Sequence, residues 1–148
     1  MLEMSDGQAD RRMIGALLRI PFQVAVERLY AELARAGFDD LTPAHFVVFQ
    51  HMRPEGVRAT ELAQQAQITK QSMGYLITYL EERGYVERVA DPRDKRARLV
   101  HLTERGQALD ATARRIVQQV EREWSEYLGA DRFAQLQQIL RDLIAALK

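Results

Sequence analysis

Cysteine is absent from all 148 residues. That excludes disulfides, thiolate metal sites and cysteine-based redox sensing together, and a reducing cytoplasm suits such a chain. Long apolar runs are missing too. Charges interrupt every hydrophobic stretch, so the sequence offers no bilayer-spanning helix. Met1–Arg12 is polar, acidic at first, and has no apolar core of the signal-peptide kind. His45, His51 and His101 are scattered without metal-ligand spacing. There is no nucleophile elbow and no phosphate-binding glycine loop, so nothing points to an enzyme or a bound cofactor. Net charge is zero as well, which taken alone argues against a nucleic-acid binder.

The distribution of charge says otherwise. Between Arg88 and Arg98 five cations face two anions. A local positive prong on a neutral body is what contact with a DNA groove or backbone requires. Hydrophobic residues at 47% and charged residues at 28% are ordinary for a soluble globular protein, and 148 residues suit a single domain.

Helical periodicity and capping residues set the order of elements. Residues from about Arg11 to Arg35 carry an imperfect apolar stripe, which Pro21 is expected to bend or divide and Gly37 to end. Thr42-Pro43 opens a second helix, with Phe46, Val47, Phe49 and Met52 following, and Pro54-Glu55-Gly56 stops it. Thr60 is expected to cap a short helix to Ala66. Thr69 caps the next, running to about Arg83 and closed by Gly84, with Met73, Leu76, Ile77 and Leu80 at buried spacing. Tyr85–Val89 and Arg98–Leu102 are strand-like and flank the turn Asp91-Pro92-Arg93-Asp94, a hairpin with a charged tip. Thr103 caps a long helix to about Leu128. After Gly129 a last helix spans Asp131 to Leu147.

Two short helices joined by a tight turn and followed by a charged hairpin make a winged helix-turn-helix. The fold class is therefore mainly α with a small β-hairpin wing. The major groove, about 12 Å wide, admits one helix, and the second helix of such a pair presents its N-terminal half to base edges. The outward residues there are Thr69, Lys70, Gln71, Ser72, Gly74, Tyr75 and Thr78. Gln71 has the two-pronged amide that matches adenine, Lys70 suits guanine or phosphate, and Gly74 lets the backbone come close. Tyr79 is read as a packing residue. Thr60 is a candidate backbone contact. Arg93, Lys95, Arg96 and Arg98 on the wing are placed to reach the minor groove or its phosphates. Asp91 and Asp94 would repel phosphate, so their expected work is to pair with nearby arginines and fix the tip.

The run Asp91-Pro92-Arg93-Asp94-Lys95-Arg96-Ala97-Arg98-Leu99-Val100-His101-Leu102-Thr103-Glu104-Arg105-Gly106 closely resembles the wing-and-helix signature of the MarR family of bacterial transcription regulators. That signature reads D-x-R-D-x-R, a strand, then L-T-x-x-G. Ala59–Ala63, Ile68–Met73 and Leu80–Val86 look like the family's paired helices, and Leu41–Phe49 fits its second helix. The resemblance implies a homodimer joined by first and last helices. It also implies a repressor on pseudo-palindromic double-stranded operators, in the bacterial cytoplasm at the nucleoid. A small aromatic or anionic effector would release the DNA. Pro21 departs from the family pattern.

The whole chain, 1–148, reads as one domain of this kind. About 40–103 form the DNA-binding lobe, and about 10–37 and 104–148 a helical dimerisation region. The terminal stripes fit either the core of a larger monomer or a dimer interface. The second is expected, because two long helices cannot readily hide every apolar residue over a small module. Ile116, Val120, Trp124, Phe133, Leu136, Leu140, Leu143 and Leu147 are its candidate residues. Phe22, Phe46 and Phe49 are either core or the wall of an effector cleft, with Arg19 and His45 as candidate anion binders. The competing reading is a winged helix serving structure or protein interaction, without effector response.

Overall fold

The computed structural model describes residues 10–148; the reading of Met1–Arg12 as no signal peptide falls, through residue 9, outside the described residues. Pro21 lacks the N–H that would bond the Leu17 carbonyl. Nevertheless α1 (Ile14–Arg35) runs through it undivided. One lost bond does not stop a helix whose later turns are held from outside. Leu29 and Leu33 are buried, and the two terminal guanidinium nitrogens of Arg28 donate to the Glu123 carboxylate on another helix. That pairing holds the Glu123 carboxyl down at about 2. Gly37, at φ +100°, then turns the chain in a conformation other residues avoid.

A lobe of shorter elements follows as α2 (Pro43–Gln50), α3 (Ala59–Ala66) and α4 (Lys70–Glu82), then strands β1 (Val86–Asp91) and β2 (Asp94–Leu102). Helix α2 stops at Gln50, short of Pro54. Thr60 is not the cap of α3. Arg58 holds that position without a side-chain bond, and Thr60 is the second residue of the helix. The reason lies one residue earlier, where Val57 and Val100 exchange both backbone hydrogen bonds, at 3.1 and 2.8 Å. That bridge keeps Val57–Arg58 extended and fixes where coiling starts. Thr69 does cap α4, accepting from the Ser72 N–H at 3.0 Å.

The strands pair antiparallel from Val86 opposite Leu102 to Asp91 opposite Asp94, with an irregularity at Ala90/Asp91. They extend further into the charged tip than β-formers alone indicate. Val48, Val57, Leu62, Met73, Ile77, Leu80, Tyr85, Val86 and Val100 are wholly buried between the helices and the hairpin.

Thr103 starts α5 (Glu104–Leu128) by accepting from the Gly106 N–H at 3.1 Å, and α6 (Ala130–Ala146) follows the turn at Gly129. Ile116 and Val120, expected on a dimer interface, are instead 7% and 5% exposed within a single chain. They face inward on α5, the helix packed against α1. Trp124, Phe133 and Leu140 are half-buried, while Leu136, Leu143 and Leu147 are exposed. No residue of α6 is buried.

A cluster at the base of the lobe joins these parts. The Tyr85 hydroxyl donates to the Asp40 carboxylate, and that of Tyr79 to the Asp40 carbonyl. Arg105 reaches the Arg83 carbonyl at 2.6 Å and the Tyr85 hydroxyl at 3.0 Å. His45 stacks on Tyr79 with ring centroids 4.4 Å apart, and its Nδ1 accepts the Thr42 N–H at 2.9 Å. Burial, and then Arg83 across the Tyr79 ring, hold the His45 imidazole below its ordinary value of 6.5, while Asp40 pulls the other way.

A group depressed in the fold takes its proton first in the unfolded chain. The contribution of His45 to melting temperature is therefore expected to be level above about pH 7 and to be lost progressively as pH falls below about 6.5 toward its lower folded-state value. Depressed carboxylates such as Glu123 contribute only at lower pH. A His45→Gln variant whose acid limb matched wild type in that window would refute the assignment.

Candidate nucleic-acid interface

Burial of Met73, Ile77 and Leu80 turns the opposite side of α4 outward. Thr69, Lys70, Gln71, Ser72, Tyr75 and Thr78 are exposed there, and Gly74 is half-exposed among them. A Cβ added at Gly74 would meet nothing within 4 Å, so the helix surface is open at that point. The Gln71 amide donates to the Tyr75 hydroxyl at 3.2 Å, which holds both side chains in one arrangement. Ser72 is partly committed elsewhere, since its hydroxyl accepts from Thr69 at 2.9 Å. Tyr79 turns away, into the cluster with Asp40, and packs as expected.

On the wing, Arg93, Lys95, Arg96 and Arg98 are all exposed. The two aspartates work on the backbone of the turn. Asp91 accepts the Arg93 N–H at 2.9 Å, and Asp94 accepts the Arg96 N–H at 3.0 Å. Asp91 is 5% exposed, and its arginine partner is Arg58, ahead of α3, rather than any residue of the tip. The Arg93 N–H first, then Arg58, keep its carboxyl below the usual range. Asp94 makes no ion pair among the described residues. The wing cations thus remain unneutralised by side chains of their own turn, while Asp91 and Arg58 tie the wing root to the helix pair.

Thr60, Gly74 and Arg98 line one groove with Arg58 and Arg88. Sequence reasoning missed both of those arginines as site residues. Arg58 reads as an unremarkable residue before a helix. Arg88 sits inside a strand, where only the fold shows that it bends toward α4 and donates to Thr78 at 3.3 Å.

Of the five residues expected to line an effector cleft, two share a cavity. A cavity of about 350 Å³ lies between α1, α2 and α5, and Phe46 and Phe49 line it together with Tyr30, Leu33, Leu109 and Val117. Burial pushes the Tyr30 phenol up to about 12. Arg19, Phe22 and His45 are not among its walls. Arg19 is exposed on α1 and bonds Gln23, Phe22 is 60% exposed, and His45 is used in the turn before α2 and the stack on Tyr79. The cation in the lining is Arg114, which is paired with Asp110 at 2.9 Å.

Residues 39–97 match the family model described as MarR family. Transcriptional regulator HosA of Escherichia coli O111:H- is 31% identical over 130 residues, 87% of this chain and 93% of that one. The exopolysaccharide II synthesis transcriptional activator ExpG of Rhizobium meliloti is 30% identical over 94 residues. The match with ExpG covers 64% of this chain and only about half, 48%, of ExpG. Among solved structures, the transcriptional repressor CouR bound to a 23-mer DNA duplex superposes with a TM-score of 0.71 at 28% identity, covering 89% of this chain and 92% of that one. The Mycobacterium tuberculosis MarR family protein Rv2887, in complex with salicylic acid, gives 0.66 at 29% identity, covering 92% and 99%.

Proposed function

Because the chain belongs to the MarR family, whose members compared above are transcription regulators, we propose that it represses transcription as a homodimer on a pseudo-palindromic duplex. In this reading it acts in the cytoplasm and leaves its operator when a small effector binds. The observation that carries the reading is the exposed face of α4 set beside a wing whose cations have no partners on their own turn. Neutralising several phosphates releases counterions and supplies affinity whatever the sequence. Gln71, steadied by Tyr75, supplies the base-reading element.

The two α4 helices of the dimer enter successive major grooves about 34–36 Å apart. The cavity between α1, α2 and α5 is the effector site, since it lies where the terminal helices meet the DNA-binding lobe. A ligand there needs only to favour one spacing of the two lobes, and a coupling of about 1–3 kcal/mol is typical. The repressing role is supported by CouR, a repressor seen on DNA, while ExpG is an activator. The small-ligand reading is supported by the salicylic acid complex of Rv2887.

Two variants test the contact assignment. Arg96→Ala is expected to weaken binding to all duplexes and lower the salt slope by about one, the signature of a lost phosphate contact. Gln71→Ala is expected to relax preference at one base pair, at a cost of about 1–3 kcal/mol on the preferred duplex. Fluorescence anisotropy with the chain's own upstream region and a random duplex reads both. Wild-type behaviour in both variants would rule the assignment out.

A further inference from the structure

We propose that the groove between α3, α4 and the wing is a built seat for one phosphate of the DNA backbone, with Arg88 as its principal donor. The inference rests on the duplex-binding reading and goes further by naming a contact outside the exposed helix face and the wing tip. The groove encloses about 390 Å³ and is lined by three arginines, Arg58, Arg88 and Arg98, with Thr60 and Gly74 beside them.

The groove lacks enough negative charge. Asp91 is the one buried carboxylate nearby, and it is taken by Arg58, whose Nε and Nη2 both donate to Oδ2 at 3.2 and 2.9 Å. Glu81 lies 4.0 Å from the Arg88 Nε, beyond hydrogen-bond reach. Arg98 makes no ion pair among the described residues. The Arg88 Nε is itself buried without any hydrogen-bond partner. A buried donor without a partner is costly, and of the three arginines only Arg98 has no carboxylate within 4.0 Å among the described residues, so the groove keeps an excess of positive charge. An anion would balance that excess through the accessible ends of the guanidinium groups, whose fork matches phosphate oxygens in two-pronged geometry.

The place of the hollow selects which anion. One wall is α4 at Gly74 and another is the wing, the two parts that face the duplex. A Cβ at position 74 would meet nothing within 4 Å, so a strand of DNA can approach the helix backbone there. Arg88 is already oriented by Thr78, to which its Nη2 donates at 3.3 Å. The seat is thus formed before DNA arrives, and its arginines lose little freedom on binding.

The test is a salt titration of duplex binding by the full chain, using a random-sequence duplex of about 30 base pairs and the chain's upstream region. Arg88→Gln is expected to lower the slope of log K against log salt by about one. It should weaken both duplexes alike, by about tenfold. Thr78→Val removes the orienting bond and leaves the charge, so its slope is expected to stay at the wild-type value while affinity falls a few-fold. If Arg88→Gln does not fold by thermal melting, Arg88→Met, which keeps the aliphatic stem and loses the charge, reads the same position and is expected to lower the slope equally. A wild-type slope in whichever arginine variant folds overturns the seat, provided the parent binds DNA. A parent that binds no duplex overturns the underlying reading and the seat with it.

Discussion

Gly106→Ala is expected to destabilise the chain by about 3 kcal/mol, the upper end of what overpacking usually costs. Gly106 is buried in the first turn of α5, where its N–H donates to Thr103. A Cβ there would run into the backbone carbonyl of Tyr85 and come within 3.2 Å of the Leu102 side chain. Backbone cannot yield as a flexible side chain can, because Tyr85 is wholly buried and its carbonyl accepts the Thr103 N–H at 3.1 Å. At about 2–4 °C per kcal/mol for a chain of this size, the melting temperature should drop by roughly 10 °C. Gly74→Ala provides the contrast. It sits in open space inside a helix, so stability should rise by about 0.5–1 kcal/mol. Equal melting temperatures for the two variants would contradict the packing at the start of α5.

Leu143→Glu is expected to halve the mass in sedimentation and to lower affinity for a two-half-site duplex at least a hundredfold. A single chain leaves much apolar surface on its terminal helices. Ile14 and Phe22 are 66% and 60% exposed, and Ile139 and Leu147 are 63% and 77% exposed. Large exposed patches of this kind mark association surfaces, and obligate interfaces commonly bury upward of about 2,000 Å². Leu143 lies in the middle of the α6 face at 40% exposure. A carboxylate would be tolerated there in a monomer, but would be buried unpaired in a dimer. Losing one of two linked binding modules removes a factor of about 10²–10⁴. Unchanged sedimentation would place the interface elsewhere.

What the sequence disclosed depended on whether the signal was local. Thr69 and Thr103 as caps, and Gly37, Gly84 and Gly129 as terminators, follow from backbone chemistry within a few residues. All stand where expected. The α3 start was misplaced because its determinant is the bridge from Val57 to Val100, more than forty residues away in the chain. Ile116 and Val120 were assigned to a second copy although α5 buries them within its own chain. A helical stripe records that a face is covered, and carries no mark of which element covers it. Arg19 and Phe22 were offered to the effector cleft on residue type alone, whereas the cavity draws on α1 only from Leu29 onward. Phe46 and Phe49 do line that cavity, because α2 is short and has one side facing α5.

Asp40 has a consequence for timing. It receives hydroxyls from Tyr79 on α4 and Tyr85 at the root of the wing, and lies 3.6 Å from Arg105 on α5. The connection between α1 and α2 is therefore a fulcrum on which α4, the wing and α5 all bear. The loop thus couples α4, the wing root and α5 through direct side-chain contacts. If a ligand releases the duplex as proposed above, finger and helix are expected to let go together rather than one after the other.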